Sequence, residues 1–281
     1  MPIHLAPSGR VRHVLAVAAA LLCLLGLTVG GQAAPSASAQ QRPEPKPTVV
    51  LVHGAFADAS SWNGVVTRLQ KRGYTVVAPA LGMRGLASDS AYLASFLSQI
   101  KGSVILAGHS YGGAVISNAA TGAKNVRALV FVNAFATEKG EVLSTVEQGS
   151  TDSALNPALL RYTFPTGPST TAVELIVDPA KFPAIFAGDL PRAQAALLAA
   201  TQRPIAASAF GEASGAPAWK SLPSWAVVAT GDKAAGTDVI LAMAKRAGAH
   251  ITTVDGSHLI MVSKPEVVTD VILKAIRGAK A

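Results

Sequence analysis

The sequence predicts an α/β fold: a doubly wound, mostly parallel six-stranded sheet with an inserted helical cap. Three observations predict it. Short runs of apolar, β-branched residues recur without period-two alternation, which is how strands buried on both faces of a parallel sheet read. Amphipathic helical patterns separate those runs, giving the β-α alternation of a doubly wound domain. One interval, about 136–222, is too long for a plain crossover and marks an insertion after the fourth strand.

The first strand is "TVVLV" (48–52). Ser60 or Ser61 then caps a helix through Arg72, with Trp62, Val65, Val66 and Leu69 as its buried stripe and Gly73 ending it. "TVVAPA" (75–80) is the second strand. Ser88-Asp89-Ser90 opens the next helix, in which Tyr92, Leu93, Phe96, Leu97 and Ile100 recur at helical spacing. "SVILAG" (103–108) is the third strand, and a helix from Tyr111 to Thr121 follows directly. "VRALVFVNAF" (126–135) is the fourth strand. The insertion contains "DPAKFPAIFAGDLPRAQAALLAATQRPIA" (178–206), which reads as helices broken at prolines. Phe182, Phe186 and Trp219 belong to the core of that cap more naturally than to a substrate site. "SWAVVAT" (224–230) and "HITTVDG" (250–256) are the last two strands. Pro265 and Glu266 begin a final helix that turns Val267, Val268, Val271, Ile272 and Ile276 inward.

Ahead of this domain, residues 1–39 read as a secretory signal. Arg10 and Arg12 form a positive n-region, Val14 to Val29 is almost unbroken Leu, Val and Ala, and Ala37-Ser38-Ala39 is a small-x-small cleavage site. Ala33 and Ala34 offer alternative cuts. The apolar run falls short of the ~20 residues of a spanning helix, and Ala, Ser and Pro follow it instead of a charged stop. The expectation is export without stable membrane insertion. Cys23, the sole cysteine, lies in this segment without a lipobox, so the mature chain has no thiol for nucleophilic or metal chemistry. Residues 40–47, with Pro43, Pro45 and Pro47 alternating, are a stiff leader. The domain of 48–281 is long enough to bury a core without disulfides. The net charge is +8, and removing Arg10 and Arg12 leaves +6. Basic residues are scattered without a run and only 14% of the chain is charged, which describes a solvated basic surface and no nucleic-acid site.

Chemistry centres on "LAGHSYGGAV" (106–115). Gly108-His109-Ser110-Tyr111-Gly112 fits G-x-S-x-G, and Ser110 falls where an apolar strand turns into a helix. Small neighbours at Gly108, Gly112 and Gly113 permit the strained turn that presents the hydroxyl, while the helix N-terminus directs N–H groups at the same point. A serine needs a base, and the base needs an orienting group. Of the four histidines beyond the signal, His258 in "DGSHLIM" lies on a carboxyl-end loop at the edge of the sheet that carries Ser110. His109 points away at the turn, His250 opens a strand at the surface, and His53 buttresses its loop. Asp232 in "VVATGDKAAG" follows the fifth strand immediately, whereas Asp255 reads as a turn residue. Asn133 ends the fourth strand and offers no carboxylate. The chain order Ser110, Asp232, His258 matches a nucleophile-acid-base order. "HGAFADASSW" supplies a turn after the first strand, where the Ala55 N–H joins the Tyr111 N–H as oxyanion donor and Phe56 lines the pocket. That geometry needs the first and third strands side by side, as in the order 2-1-3-4-5-6.

With "VLVHGAFADASSW", "LAGHSYGGAVI", "TGDKAAG", "GSHLIMVSKPE" and the cap stretch "AATQRPIAASAF", the chain resembles cap-bearing α/β hydrolases. Within them it is similar to bacterial esterase-like members related to plant methylesterases and hydroxynitrile lyases. The match covers nearly all of 48–277. The resemblance implies the α/β-hydrolase fold, the triad Ser110, Asp232 and His258, and main-chain donors at Ala55 and Tyr111. Lyase members carry threonine where this chain has Gly54 and lysine where it has Leu259, so lyase chemistry is not expected. Dehalogenases would carry aspartate in place of Ser110. The two extra N-terminal strands of larger hydrolases have no counterpart here.

The function implied is hydrolysis of small carboxylic esters through an acyl-enzyme, with no metal or organic cofactor. The low charge of the cap favours an apolar acyl or alcohol group. Lactonase or perhydrolase chemistry would use the same residues. A receptor that keeps a hydrolase shell to bind a small ligand is the alternative from another class, and an envelope protein anchored by an uncleaved signal is a third.

Overall fold

The chain begins its sheet with β1 (Thr48–Val52), whose last four residues are buried. Asp58 then caps a short 3-10 turn, Ala59–Trp62, by accepting the Ser60 N–H at 2.7 Å, and α1 (Asn63–Lys71) follows. Ser60 and Ser61 do not cap α1: their hydroxyls are bonded within the turn that Asp58 caps, and α1 starts from Trp62 without a side-chain cap. After β2 (Val76–Val77), α2 (Leu86–Ser98) starts ahead of Ser88, because Asp89 turns inward instead of capping. β3 (Val104–His109) is buried at every residue and leads into α3 (Tyr111–Ala119), which ends in a 3-10 turn at Ala120–Gly122. β4 (Val126–Val132) completes the first half.

The computed structural model describes residues 45–279. The signal segment 1–39, its cleavage sites and the beginning of the leader lie outside the described residues.

The insertion follows β4. It contains α4 (Leu143–Gln148), then β5 (Leu159–Gly167) and β6 (Thr170–Val177), an antiparallel hairpin to which β7 (Ile205–Ala206) adds a short third strand. Between β6 and β7 lie α5 (Phe182–Phe186) and α6 (Arg192–Ala200), opened by Pro183 and Pro191 as the sequence indicates, and α7 (Ala207–Gly211) follows β7. The insertion, expected to be a helical cap, is thus helical only in part. A hairpin of aromatic and β-branched residues at Tyr162, Phe164, Thr171 and Val173 stands beside its helices.

The chain returns to the sheet at β8 (Ser224–Ala229), crosses through α8 (Thr237–Arg246) to β9 (His250–Val254), and closes with α9 (Ile260–Ser263) and α10 (Pro265–Gly278). Six strands run in the order β2-β1-β3-β4-β8-β9, every pair parallel. The winding reverses between β1 and β3, which pair from Thr48↔Val104 to Val52↔Gly108, so their carboxyl ends open side by side. β3, β4 and β8 are the buried centre, and β9 with exposed His250 is an edge. Among the described residues no helix is long and apolar enough to cross a membrane.

Candidate active site

Ser110 sits at φ 52°, ψ −125° between β3 and α3. A left-handed non-glycine residue is strained by roughly 1–3 kcal/mol and persists only where its surroundings over-determine it. They do so here. The Ser110 N–H donates to the Asn133 carbonyl at 3.1 Å, and the Ser110 carbonyl accepts the N–H groups of Gly113 and Phe135. A Cβ on Gly112 would lie 2.7 Å from the carbonyl oxygens of Val52 and His53, so only glycine lets α3 lie against β1 at this turn. Phe56 and Asn133 also have positive φ, which concentrates backbone strain around the serine.

Beyond β8, Asp232 and His258 meet. Their side chains are buried and Oδ2 lies 2.8 Å from Nδ1. The other carboxylate oxygen accepts the N–H groups of Ala234 and Ala235 at 2.9 and 3.0 Å, so a turn fixes the acid before it meets the imidazole. The Nε2 of His258 is buried without a hydrogen-bond partner among the described residues. Ser110 itself is 6% exposed.

The loop that carries His258 is held from three directions. Asn133 Nδ2 donates to the carbonyls of Ser257 and His258, while its Oδ1 accepts the Ala229 N–H at 2.7 Å. His109 Nε2 is 3.1 Å from the His258 carbonyl, which makes Nε2 the protonated nitrogen, and the two rings lie 4.6 Å apart. Burial, then the neighbouring His258, holds the pKa of His109 well below the usual histidine range. From the cap, Asp189 accepts the Ser257 hydroxyl, and the Phe186 carbonyl accepts the Leu259 N–H. Asn133, His109 and Asp189 therefore orient the loop without facing a reacting atom. Sequence reasoning set Asn133 and His109 aside and did not single out Asp189, because each acts through a partner far along the chain.

On the β1 side, His53 buttresses its turn: Nδ1 bonds the Gly54 carbonyl and Nε2 accepts the Leu81 N–H at 3.1 Å. Burial lowers its pKa, in keeping with a neutral ring. A Cβ at Gly54 would fall 2.6 Å from the Ser110 Cβ, so this turn lies directly against the serine and leaves no room for a larger residue. The N–H groups of Ala55 and Tyr111 have no backbone partner among the described residues. Tyr111 turns its side chain away, donating its hydroxyl to Asp89 at 2.8 Å. Phe56 is packed edge-on to Phe186 at 5.6 Å and stacked with Phe210 at 6.3 Å, and Phe186 is in turn edge-on to His258 at 4.8 Å. Phe186 is thus cap core and a wall of the site at once. Asp255 lies exposed, with the Thr230 hydroxyl at 3.5 Å, and His250 is on the far edge. Among the described residues no group of three or more His, Cys, Asp or Glu side chains is arranged to hold a metal ion.

Residues 49–271, from β1 to the last helix, match the alpha/beta hydrolase family. The chain belongs to that family. This alpha/beta hydrolase is 35% identical over 107 residues to the carbendazim hydrolyzing esterase of Nocardioides sp. (strain SG-4G), a match that spans 34% of this chain and 44% of the relative. Its fold is that of polyneuridine aldehyde esterase, with a TM-score of 0.69 and 20% identity over 82% of this chain and 99% of the other. It is likewise similar in fold to the Arabidopsis methylesterase MES16, with a TM-score of 0.68 and 18% identity over 83% and 99% of the two chains.

Proposed function

We propose that this hydrolase cleaves carboxylic esters of small molecules through an acyl-enzyme on Ser110. The observation that carries the proposal is the buried Asp232–His258 pair, whose imidazole keeps its second nitrogen unpartnered at the sheet edge where the Ser110 turn stands. His258 Nε2 takes the Ser110 proton as Oγ attacks the ester carbonyl. The oxyanion that forms is met by the N–H groups of Ala55 and Tyr111, and Asp232 holds the Nδ1–H tautomer and stabilises the imidazolium. Collapse breaks the C–O bond, and His258 returns the proton to the departing alcohol oxygen. Water, deprotonated by the same nitrogen, then releases the acid and restores Ser110.

The aromatic wall of Phe56, Phe186 and Phe210 supports an apolar group next to the reacting carbonyl. The signal-like N-terminus supports action outside the cytoplasm. The test is turnover of p-nitrophenyl butyrate by the mature protein. Wild type should show steady release, and Ser110→Ala should lower kcat by about 10³-fold or more. Equal turnover by the variant would remove Ser110 from the chemistry.

A further inference from the structure

The catalytic groups are roofed over. Ser110 is 6% exposed, Ala55, Tyr111 and His258 are buried, and so is the His258 Nε2 atom itself. An ester carbonyl brought to Ser110 Oγ carries an acyl and an alcohol group with it, so some part of the enclosure has to give way. The core side is pinned, because the Ser110 turn is held at both its N–H and its carbonyl, and His53 fixes the turn after β1. Much of the cap is pinned too. Contacts of 2.8 Å tie it to the segment 83–87: the Ala206 N–H to the Met83 carbonyl, the Ala87 N–H to Glu212, and Arg84 to Glu174. The segment 178–201, which carries α5 and α6, is held differently. Gln202 clips its base, accepting the Val177 N–H at 2.7 Å and donating to the Val177 carbonyl at 2.8 Å. Among the described residues, its hydrogen bonds to the sheet domain all go to Ser257 and Leu259, the two neighbours of His258.

We propose that 178–201 is a flap that lifts to admit substrate to Ser110, and that the hydrogen bond from Ser257 to Asp189 is its latch. The proposal rests on the esterase reading only in calling the entering molecule a substrate. Phe186 shows what the flap obstructs. Its ring is edge-on to His258 at 4.8 Å and to Phe56 at 5.6 Å, so it spans from the base to the turn that bears the Ala55 N–H. The seam along which the flap parts is a crevice of about 20 Å³, with Phe56, Asp58 and Ser60 on one bank and Phe182, Leu198 and Thr201 on the other. Asp189 is exposed, so release returns its carboxylate to water and strands no buried charge. The Phe186 carbonyl accepts the Leu259 N–H at 3.1 Å and lies 3.1 Å from the Ser257 hydroxyl. Closure therefore grips the chain on both sides of His258, and the contacts that shut the site also hold its base in place.

The experiment reads access to position 110 without any ester. Cys23 is the sole cysteine, so Cys23→Ser with Ser110→Cys leaves one thiol, at the site. Its rate of reaction with methyl methanethiosulfonate is measured in that background and after changes to the latch. Asp189→Ala and Ser257→Ala should each speed labelling about tenfold or more, as loss of a hydrogen bond to a charged group shifts a closed–open equilibrium. Together they should add nothing further, because both remove the same bond. Asp189→Asn, which keeps an acceptor oxygen, should stay close to the slow parent. A change that merely slackened the His258 loop would slow labelling, since the thiol would lose its base. Unchanged or slower labelling in the two alanine variants overturns the proposal. So does a gain that appears only where the melting midpoint has collapsed. Turnover of p-nitrophenyl butyrate by the protein with Ser110 intact separates the two readings. Latch-dependent labelling without turnover leaves the flap standing and removes the esterase; turnover with latch-independent labelling does the reverse.

Discussion

His258 is held at side chain and main chain: Nδ1 bonds Asp232, and the backbone carbonyl is gripped by His109 and Asn133. Such fixation matters because a general base works only from within hydrogen-bonding reach and in the right tautomer. Replacing Asp232 by Asn keeps the shape but lets the amide donate toward Nδ1, favouring the wrong tautomer. We predict that Asp232→Asn lowers kcat for p-nitrophenyl butyrate by about 10³–10⁴-fold with little change in KM. Loss of KM with kcat retained would mean that Asp232 serves binding. The residues expected to do chemistry were legible because their signals are local: a glycine-flanked serine after an apolar strand, and polar residues directly beyond later strands. Asn133 and Asp189 carried no such signal. Each matters through a contact formed only when distant segments meet, as when Asp189 of the cap reaches Ser257.

At the scale of elements, α2 and α3 are joined beneath the serine by one buried bond. Asp89 accepts the Tyr111 hydroxyl on one oxygen and the Met83 N–H on the other, and desolvation raises its pKa despite those bonds. Tyr111→Phe removes the donor and leaves a buried carboxyl oxygen unpaired. It should lower stability by about 1–3 kcal/mol, read as a fall in the urea midpoint without a change in slope. An unchanged midpoint would show that the pair is not stabilising. The parallel strands and the proline-punctuated helices α5 and α6 were evident from apolar runs and breakers. The β5–β6 hairpin was not, because β5 is largely exposed and Pro165 interrupts it. The start of α2 was displaced for a related reason: an aspartate near a helix N-terminus reads as a cap until a tertiary partner turns it inward.

For the whole molecule, buried groups shift the pH dependence of stability in opposite senses. His53 and His109 have lowered pKa values from burial, so the stability they contribute is present above the unfolded value of 6.5 and is lost as pH falls through their folded values. Glu147 behaves oppositely. Its folded pKa of about 8 exceeds the ordinary 4.5, so between those values the unfolded chain has released a proton that the folded chain retains. Stability then declines with rising pH across that window. Glu147→Gln should therefore raise the thermal midpoint clearly at pH 8.5 and little at pH 4.5. An equal shift at both would mean that Glu147 does not titrate differently on folding.

The proposed chemistry depends on a covalent bond at one atom, Ser110 Oγ. The direct test is to treat the protein with a fluorophosphonate and map the adduct by peptide mass spectrometry. A single adduct is expected on the peptide that contains Ser110, prevented by prior Ser110→Ala substitution and slowed by Asp232→Asn. An adduct on another residue, or ester turnover that persists while Ser110 stays unlabelled, would contradict it.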